Sequence, residues 1–581
     1  MIEMKDISFT YAGATRKTLN NINLSIKKND ITLLLGASGS GKSSLVHCLN
    51  GLIPYHIQGE LSGTIKIADR KIHTMSIGEL TKQVGLVFQD PEAQLVTMKV
   101  EDEIAFGLEN LCLPPKEITE GIQLALKQTG LEGYQQQLND QLSGGQKQRL
   151  ALASVLCMQP QILILDEPTA YLDPEGTNEF FSTLRKLQQT TNLTIIIIEH
   201  KLDKLIDIVN HVIVLGKNGR IIADGTPQNV FYEHYEQLIS EGVWLPDCVR
   251  IINELKRKGF AINRTPITVT ETAKVLTALL PAKLTTEKNM IHRENNNEQC
   301  ILLSDAKIAL EIKNRHFSCK HFCPLKPMEL KIPQGDFLAV VGKNGAGKST
   351  LAQYIVKLLP LQKDVIFLDG CELVQLPVHD VSQKVGYVFQ NPEHQFVTSR
   401  VIDELAFGLK RLKLTQSEID ARVHTMLEQF ALIDYAEMNP FCLSHGEKRR
   451  LSVASMLITG QKLLIFDEPT FGQDLQNANK LMRIMKDLQK AGNTVIMISH
   501  DMNLIAEYAD HVAVLDKGFL RFHGPVEALF SKPALLEEAG LALPPIVEIM
   551  LQTTAIQPKY GEGSLTEKLL TKFEQYYGAV T

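Results

Sequence analysis

The sequence predicts two α/β domains in tandem, each a mainly parallel sheet covered by helices. Residues 84–92 recur in similar form at 385–393, and Gln89 and Gln390 lie 301 residues apart. The same separation holds for later pairs of the repeat, such as Asp166 and Asp467. Within each copy, apolar β-rich runs alternate with amphipathic segments of helical length, as in parallel sheets. A constant offset over this distance indicates a duplicated domain rather than a short repeat module.

The repeat sets the predicted domain boundaries. We place the first domain at 1–245 and the second at 306–545, with a connecting segment and linker at 246–305 and a C-terminal tail at 546–581. Residues 265–305 contain Thr-rich and Asn-rich stretches without sustained periodicity, which is typical of a linker.

Composition excludes several classes of protein. The 581 residues are 44% hydrophobic and 22% charged, as in soluble globular proteins. The net charge of −6 argues against a large basic surface for nucleic acid. Apolar runs stay far below the ~20 residues of a membrane-spanning helix, and the charged first residues do not suit a secretory signal. Nine cysteines, an odd count, favour free thiols, so we expect a cytoplasmic location.

Both copies contain a phosphate-loop motif that follows an apolar strand and opens a helix. Its glycines let backbone N–H groups surround phosphates, its lysine neutralises phosphate oxygens, and its serine can hold Mg²⁺. The residues expected to bind a nucleotide in this way are Gly36, Ser38, Gly39, Gly41, Lys42, Ser43 and Ser44 in the first copy, and Gly342, Asn344, Gly345, Gly347, Lys348, Ser349 and Thr350 in the second.

Two apolar strands end in paired carboxylates, Asp166-Glu167 and Asp467-Glu468. Such a strand delivers its acids to the edge of the sheet where ligands of open α/β sheets bind. We expect Asp166 and Asp467 to coordinate Mg²⁺, directly or through water, and Glu167 and Glu468 to polarise the attacking water. A pair of this kind is often only a solvated strand end, but the upstream phosphate loops favour the catalytic interpretation.

Leu142-Ser-Gly-Gly-Gln146 precedes the first acid pair. With this motif, nearly all of both copies resembles the ATPase subunits of ATP-binding cassette (ABC) transporters. The second copy departs from the pattern, because Leu443-Ser-His-Gly-Glu447 has His445 in place of the first glycine. The resemblance implies two P-loop NTPase domains with helical subdomains, ATP and Mg²⁺ as cofactors, and ATP hydrolysis.

The resemblance also implies how the two copies cooperate. The signature helix of one domain would cap ATP on the phosphate loop of the other, so one chain would form an intramolecular domain dimer with two composite sites. A serine hydroxyl and N–H groups at a helix N-terminus suit a γ-phosphate. The signature residues expected to bind ATP are Ser143, Gly144 and Gly145 in the first copy and Ser444 and Gly446 in the second.

Residues after other strands complete the implied sites. Gln89 and Gln390 would contact both Mg²⁺ and the reacting water, and His200 and His500 the γ-phosphate. Tyr11 lies where the family stacks an aromatic ring on adenine.

The second copy lacks this aromatic at the equivalent place, which Cys319 occupies, and Phe317 or Phe322 could substitute for it. The same stretch contains His316, Cys319, His321 and Cys323, for which a zinc site is conceivable. We instead expect its cysteines to behave as small hydrophobic residues, because no second cluster of metal ligands appears in the sequence.

Residues 90–107 and their repeat at 391–408 resemble the energy-coupling factor (ECF) importers for vitamins and metal ions, as does the segment 533–545. This resemblance implies a transmembrane scaffold subunit and a substrate-binding membrane subunit as partners, contacted through 89–107 and 390–408. The chain would then be peripheral, on the cytoplasmic face of the cell membrane. We expect Glu103 and Glu404 to be charges at the rim of that contact. The altered second signature resembles ATPases proposed to import thiamine precursors.

Two alternatives stay open at this point. One is a soluble tandem ABC protein that acts on ribosomes or DNA, and the other is the ATPase of an ABC importer outside the ECF group. The first would favour a long charged helical linker or a basic surface, and the sequence has neither. We therefore expect no nucleic-acid partner.

Overall fold

The computed structural model describes residues 1–170, 172–279, 307–313, 315–317, 325–412, 414–470, 473 and 475–553. The chain divides into two compact units, Met1–Ala278 and Leu279–Thr581. Each unit contains one copy of the sequence repeat.

The described strands of the first unit form a six-stranded sheet and a four-stranded sheet. The strand order is β10-β9-β3-β8-β7-β6 in the larger sheet and β2-β1-β4-β5 in the smaller. Strands β3, β6, β7, β8 and β9 pair in parallel, whereas the smaller sheet is antiparallel. The strands are β1 (Ile2–Tyr11), β2 (Leu19–Ile26), β3 (Ile31–Gly36), β4 (Gly59–Ile67), β5 (Arg70–Lys71), β6 (Val84–Val87), β7 (Ile162–Asp166), β8 (Thr194–Ile198), β9 (His211–Leu215) and β10 (Ile221–Gly225).

Helices cover the larger sheet and extend the first unit beyond residue 245. They are α1 (Lys42–Leu49), α2 (Leu52–Tyr55), α3 (Ile77–Gln83), α4 (Pro91–Gln94), α5 (Val100–Asn110), α6 (Pro115–Thr129), α7 (Gly144–Leu156), α8 (Pro174–Thr190), α9 (Pro227–Glu233), α10 (Tyr235–Glu241), α11 (Asp247–Arg257) and α12 (Val269–Leu279).

The second unit repeats this arrangement, with sheets of order β16-β17-β18-β13-β19-β20 and β12-β11-β14-β15. Its described strands are β11 (Ile308–Ile312), β12 (Leu330–Pro333), β13 (Phe337–Val341), β14 (Ile366–Leu368), β15 (Cys371–Glu372), β16 (Val385–Val388), β17 (Leu463–Asp467), β18 (Thr494–Ile498), β19 (His511–Asp516) and β20 (Phe519–Pro525). Its described helices are α13 (Lys348–Ile355), α14 (Val378–Lys384), α15 (Val401–Leu409), α16 (Gln416–Gln429), α17 (His445–Leu457), α18 (Leu475–Lys490), α19 (Met502–Tyr508), α20 (Val526–Phe530), α21 (Pro533–Glu538) and α22 (Pro545–Gln552).

The isoleucine run of β8 shows why the parallel sheet needs continuous apolar strands. Ile195 and Ile197 pack into a core with α7 and α8, whereas Ile196 and Ile198 pack into a second core shared with α1 and the antiparallel sheet. Alternate side chains of a strand point to opposite faces, so a sheet covered on both faces requires apolar residues at every position.

Three helices of each unit form a helical subdomain. In the first unit α5, α6 and α7 pack through side chains that include Ile104, Leu126 and Leu150. In the second unit α15 contacts α16 and α17 in the same way. The predicted α/β class, with parallel strands covered by helices and with helical subdomains, is confirmed.

The antiparallel sheet of each unit was not part of the prediction, and the unit boundaries differ from the predicted ones. Val249 of α11 and Ile267 belong to the core of the first unit, which extends to Ala278 rather than to residue 245. Helix α22 crosses the predicted boundary at 545 and buries Ile546 and Val547. Residues 280–305 of the predicted linker and 554–581 of the tail lie outside the described residues.

Within the described ranges, no helix has both the length and the apolar character required to cross a bilayer.

Candidate active site

The predicted site residues of each unit lie where neighbouring parallel strands end. In the first unit β3, β8, β7 and β6 are adjacent in that order, so their carboxyl ends meet at one edge. The phosphate loop follows β3, Asp166 ends β7, His200 follows β8 and Gln89 follows β6. Strand pairing therefore brings together residues that are far apart in the chain.

Both phosphate loops hold their lysine in the same way. Lys42 Nζ donates hydrogen bonds to Gly36 O at 2.7 Å and Ala37 O at 3.0 Å. Lys348 Nζ donates to Gly342 O at 2.7 Å and to Lys343 O at 3.0 Å. Both lysines are buried. Each ammonium group is thus already in place beside its loop.

The first glycine of each loop meets the end of a neighbouring strand. A Cβ atom on Gly36, whose φ is +155°, would lie 2.6 Å from Leu215 O. On Gly342, whose φ is +148°, it would lie 2.1 Å from Leu515 O. Only glycine fits this close approach.

The other loop residues differ in exposure. Gly41 and Gly347 precede α1 and α13 with φ of 100° and 101°. Ser38, Gly39, Ser43, Asn344 and Gly345 are exposed, whereas Ser349 and Thr350 are half-buried and Ser44 is buried.

In the first unit, hydrogen bonds join the three predicted catalytic residues. Gln89 Nε2 donates to Glu167 Oε2 at 2.8 Å, and His200 Nε2 lies 2.9 Å from Glu167 Oε1. In the second unit His500 Nδ1 lies 2.8 Å from Glu468 Oε1, whereas Gln390 is exposed. In both units the glutamate therefore contacts the histidine, and in the first unit Gln89 contacts the glutamate as well.

The two glutamates share an unusual backbone conformation. Glu167 has φ of 44° and Glu468 has φ of 46°, in the left-handed region that residues other than glycine rarely adopt. Their amides donate to Ile198 O and Ile498 O, each at 2.9 Å. Strain held at the same position in both units is typical of functional residues.

The aspartate and glutamates of the first unit concentrate negative charge at the edge of the sheet. Burial raises the pKa of Asp166 to about 6, the nearby Glu167 adds to this shift, and Lys42 opposes it. Glu199, a residue that the sequence analysis missed, is buried there and accepts a hydrogen bond from Thr169 Oγ1 at 2.9 Å. Carboxylate oxygens and the hydroxyl of the exposed Ser43 are hard donors of the kind that Mg²⁺ prefers.

The second unit arranges its aspartate differently. Asp467 accepts hydrogen bonds from Ser349, the predicted metal partner, and from the Tyr387 hydroxyl at 3.0 Å. Burial raises the pKa of Asp467 as well. Leu86 occupies the place of Tyr387 in the first copy, so this tyrosine contact distinguishes the two sites.

The signature serines cap their helices. Ser143 Oγ accepts from Gln146 N at 3.3 Å, and Gln146 Oε1 accepts from Ser143 N at 2.8 Å. Ser444 and Glu447 form the same reciprocal cap at 3.4 and 2.8 Å. The change from glutamine to glutamate therefore preserves the local geometry while it adds a negative charge. The Ser444 hydroxyl also hydrogen bonds to the Glu447 carboxylate.

Tyr11 lies beside the first phosphate loop. Its hydroxyl hydrogen bonds to the Ser44 hydroxyl at 2.7 Å, and its ring packs edge-on against Phe9 with centroids 4.8 Å apart. In the second unit Phe317 is buried against Tyr354, with centroids 5.1 Å apart. Phe317 therefore belongs to the core and offers no open face to adenine.

The predicted zinc alternative falls mostly outside the described residues. His316 is exposed, and Cys319, His321, Phe322 and Cys323 are not described. Within the described ranges, no group of three or more metal-binding side chains is placed to hold an ion.

The expectation that Glu103 and Glu404 are rim charges is wrong. They are only 3% and 5% exposed. Glu103 Oε2 accepts from Val96 N at 3.0 Å and from both Thr97 N and Thr97 Oγ1 at 2.8 Å. Glu404 makes the same contacts with the equivalent loop. Unpaired loop donors attract these carboxylates inward, which a helical surface pattern does not reveal.

Two phosphate loops at sheet edges, each with an acid pair and a histidine, define a tandem nucleotide-binding protein with P-loop domains. A family described as ABC transporter matches residues 19–170 and 325–471. The chain belongs to this family as an ATP-binding protein, and it is an ATPase that serves transport.

Relatives match the chain over nearly its whole length. An ABC transporter ATP-binding protein of Methanosarcina mazei, so described provisionally, is 37% identical over 94% of this chain and 92% of its own. A Bacillus subtilis protein with the provisional description HMP/thiamine import ATP-binding protein YkoD is 36% identical over 95% of this chain and 96% of its own. A solved structure, cbiO1 from Clostridium perfringens, described as part of the ABC transporter complex cbiONQ, is 36% identical. It covers 43% of this chain and 98% of that one, with a TM-score of 0.38.

Replacing both loop lysines should abolish ATP hydrolysis. Lys42→Ala with Lys348→Ala removes from each phosphate loop the motif lysine that would neutralise phosphate oxygens. Phosphate release from the purified double variant should fall to background, while its thermal unfolding stays close to that of the wild type. Unchanged hydrolysis would refute the site assignment.

Proposed function

We propose that the chain is the ATPase subunit of an ECF-type importer for a vitamin, a vitamin precursor or a metal ion. It would act at the cytoplasmic face of the cell membrane, with a transmembrane scaffold subunit and a substrate-binding membrane subunit. The observation that carries the proposal is a pair of exposed apolar residues that recurs after the predicted catalytic glutamine of each copy, Val96 with Phe106 and Val397 with Phe407. Membership of the ABC transporter family and full-length similarity to an HMP/thiamine import protein support it.

We define the first docking surface as Val96, Met98 and Phe106, and the second as Val397, Phe407 and Phe441. Val96 is 66% exposed, Met98 77% and Val397 64%. Exposed apolar clusters on a soluble domain mark places where another protein binds. A cytoplasmic segment of the membrane scaffold is the occupant that we propose, because these surfaces adjoin the catalytic edge of each sheet.

A short chain of contacts links the first docking surface to the site. Gln94 accepts from Phe88 N at 2.8 Å and donates to Ala151 O of α7 at 3.2 Å. Gln89, which follows Phe88 in the chain, donates to Glu167. A displacement of the 88–97 segment by a partner would therefore change the position of Gln89 at the reacting carboxylate.

The proposed chemistry follows from the site. The loop amides and Lys42 would bind the ATP phosphates, while Asp166, Ser43 and Gln89 would hold Mg²⁺, which neutralises charge on the phosphates. Glu167 would orient and deprotonate the attacking water, and His200 would keep that carboxylate in position. Lys348, Asp467, Glu468 and His500 would act in the same way in the second unit.

We further propose that the signature of each unit completes the site of the other, which would make the two sites unequal. The first phosphate loop would receive the altered signature with His445, and the second would receive the complete Leu142-Ser-Gly-Gly-Gln146. His445 replaces a glycine of the signature, and glycine permits close approach to phosphate because it has no side chain.

Asp substitutions on the docking surface should detach the chain from its membrane partner. Val96→Asp with Met98→Asp introduces charges into an apolar contact, so we expect at least a ~10-fold loss of co-purified integral membrane protein. Leu358→Asp is the matched control, because Leu358 is an exposed apolar residue outside both docking surfaces.

Crosslinks from residues 89–107 and 390–408 in detergent-solubilised membranes provide a second measurement. A membrane protein with several spanning helices should be captured at both segments. Crosslinks to ribosomal protein or nucleic acid, with none to membrane protein, would instead favour the soluble tandem ABC alternative.

Removing the buried carboxylate should disorder the docking loop. Glu103→Ala leaves the donors of Val96 and Thr97 unpaired, at a cost of about 1–3 kcal/mol for each donor that stays buried. Glu103→Gln keeps one acceptor oxygen and should lose less. We expect a lower thermal midpoint and weaker membrane association, whereas Glu109→Ala, an exposed position of the same helix, should match the wild type. An unchanged thermal midpoint in Glu103→Ala would show that the hydrogen bonds from Val96 and Thr97 to Glu103 do not hold the loop in place.

Glu468→Gln should reduce hydrolysis more than Glu167→Gln. The proposed pairing gives Glu468 the complete signature, and a misplaced donor at the other site costs at most on the order of 10²–10³ in rate. Both variants should still bind ATP, and the double variant should trap it. The measurement is turnover of the assembled complex at saturating ATP. Equal losses, or a larger loss for Glu167→Gln, would contradict the proposed asymmetry.

A further inference from the structure

Arg449 is a buried cation on the signature helix α17 of the second unit. Its side chain is only 1% exposed. Within the described residues, all five N–H groups of this side chain donate to backbone carbonyl oxygens. The full donor capacity of the guanidinium group is therefore used. The acceptors are Pro469 O at 2.9 Å, Gln390 O at 3.2 Å, Asp467 O at 2.8 Å, Phe389 O and Glu468 O.

These carbonyls belong to two segments of the predicted active site. Phe389 and Gln390 follow β16, and the other three acceptors run from the end of β17 through the predicted catalytic glutamate. A planar guanidinium holds its donors in a fixed fork, so all five contacts can form only in one relative placement of α17 and the two segments. Arg449 therefore fixes three parts of the site with one side chain.

The charge of Arg449 matters as well as its geometry. Burial lowers the pKa of Arg449 to about 10, while Asp467 and Glu468 favour its charged form, so it is a cation at neutral pH. A buried cation is costly unless its hydrogen bonds are satisfied, and here they are. The guanidinium in turn favours ionised carboxylates at the end of β17.

The first unit builds the equivalent place differently. Gln148 occupies it, is equally buried, and donates from Nε2 to Phe88 O at a longer 3.4 Å. Gln148 is neutral, and its side chain is too short to span the segments after β6 and β7 in the way that Arg449 spans those after β16 and β17. Tyr387, whose hydroxyl donates to Asp467, adds a second contact to β17 that Leu86 of the first unit lacks.

We propose that Arg449 is a positioning residue that ties the signature helix to the ends of β16 and β17, and so holds Glu468 in its hydrolytic position. The inference rests on the proposed catalytic role of Glu468. It adds a cause of asymmetry that lies within the second unit and is independent of how the two units pair.

The test uses the full chain in its transport complex. Arg449→Gln installs the residue of the first copy, Arg449→Lys keeps the charge but not the fork, and Lys448→Gln is the matched control. Lys448 is the adjacent cation of the same helix and pairs with Glu393 at 2.6 Å. Each is placed in a Glu167→Gln background, so that the remaining turnover reports on Glu468. We measure kcat, equilibrium ATP affinity and hydrogen exchange.

Arg449→Gln should lower kcat about 10–100-fold while ATP affinity changes less than ~3-fold, because the phosphate loop is untouched. Amides of 387–391 and 466–470 should exchange faster, and those of 342–349 should not. Arg449→Lys should give a kcat between those of Arg449→Gln and the Glu167→Gln background, and Lys448→Gln should stay within ~3-fold of that background.

A kcat within ~2-fold of the background, or equal losses of kcat and ATP affinity, would overturn the proposal. Should Arg449→Gln fail to fold, Arg449→Lys decides, since a kcat equal to the background's would then overturn it. A variant that carries Glu468→Gln without any change at Arg449 separates the two proposals. Undiminished turnover in this variant would refute the catalytic assignment of Glu468 rather than the role of Arg449.

Discussion

Parallel hydrogen bonding between neighbouring strands is the constraint on which both sites depend. It places the carboxyl ends of β3, β6, β7 and β8 at one edge, and β13, β16, β17 and β18 repeat this arrangement. Residues separated by more than a hundred positions, such as Lys42 and Asp166, come close together there because their strands end at the same edge. Glycine at the start of each phosphate loop then lets the chain pass the end of a neighbouring strand. Nucleotide binding is thus a consequence of sheet topology.

Within this shared frame, the two units hold their carboxylates by different means. The first adds Gln89 to Glu167 and a buried Glu199 nearby, which makes the edge more acidic. The second has Ser499 in place of Glu199, with its hydroxyl 3.5 Å from Glu468, and uses Arg449 beneath the strand ends. Duplication therefore preserved the backbone of the site while the supporting side chains diverged. Such differences fit the proposal that the two sites hydrolyse ATP at different rates.

Much of this arrangement was predictable from sequence. Buried strands such as Ile162–Asp166 and the loops after them have spacing and chemistry that do not depend on distant contacts. The inward turn of Glu103 was not predictable, because its partners are loop amides whose orientation only the fold sets. Arg449 lies in a basic run, Lys448-Arg449-Arg450, which by pattern alone indicates a solvated face. Packing decides which member of such a run is buried. The antiparallel sheets likewise depend on long-range pairing, which strand patterns do not specify.

The number of ATP molecules bound per chain decides whether both sheet edges form nucleotide sites, because we propose that each edge holds one nucleotide. Equilibrium dialysis of the purified full-length chain with radiolabelled ATP and Mg²⁺, under conditions that prevent hydrolysis, measures it without reference to transport. We expect saturation at two ATP molecules per chain. Saturation at one, with the protein fully folded, would contradict the claim that both edges form nucleotide sites.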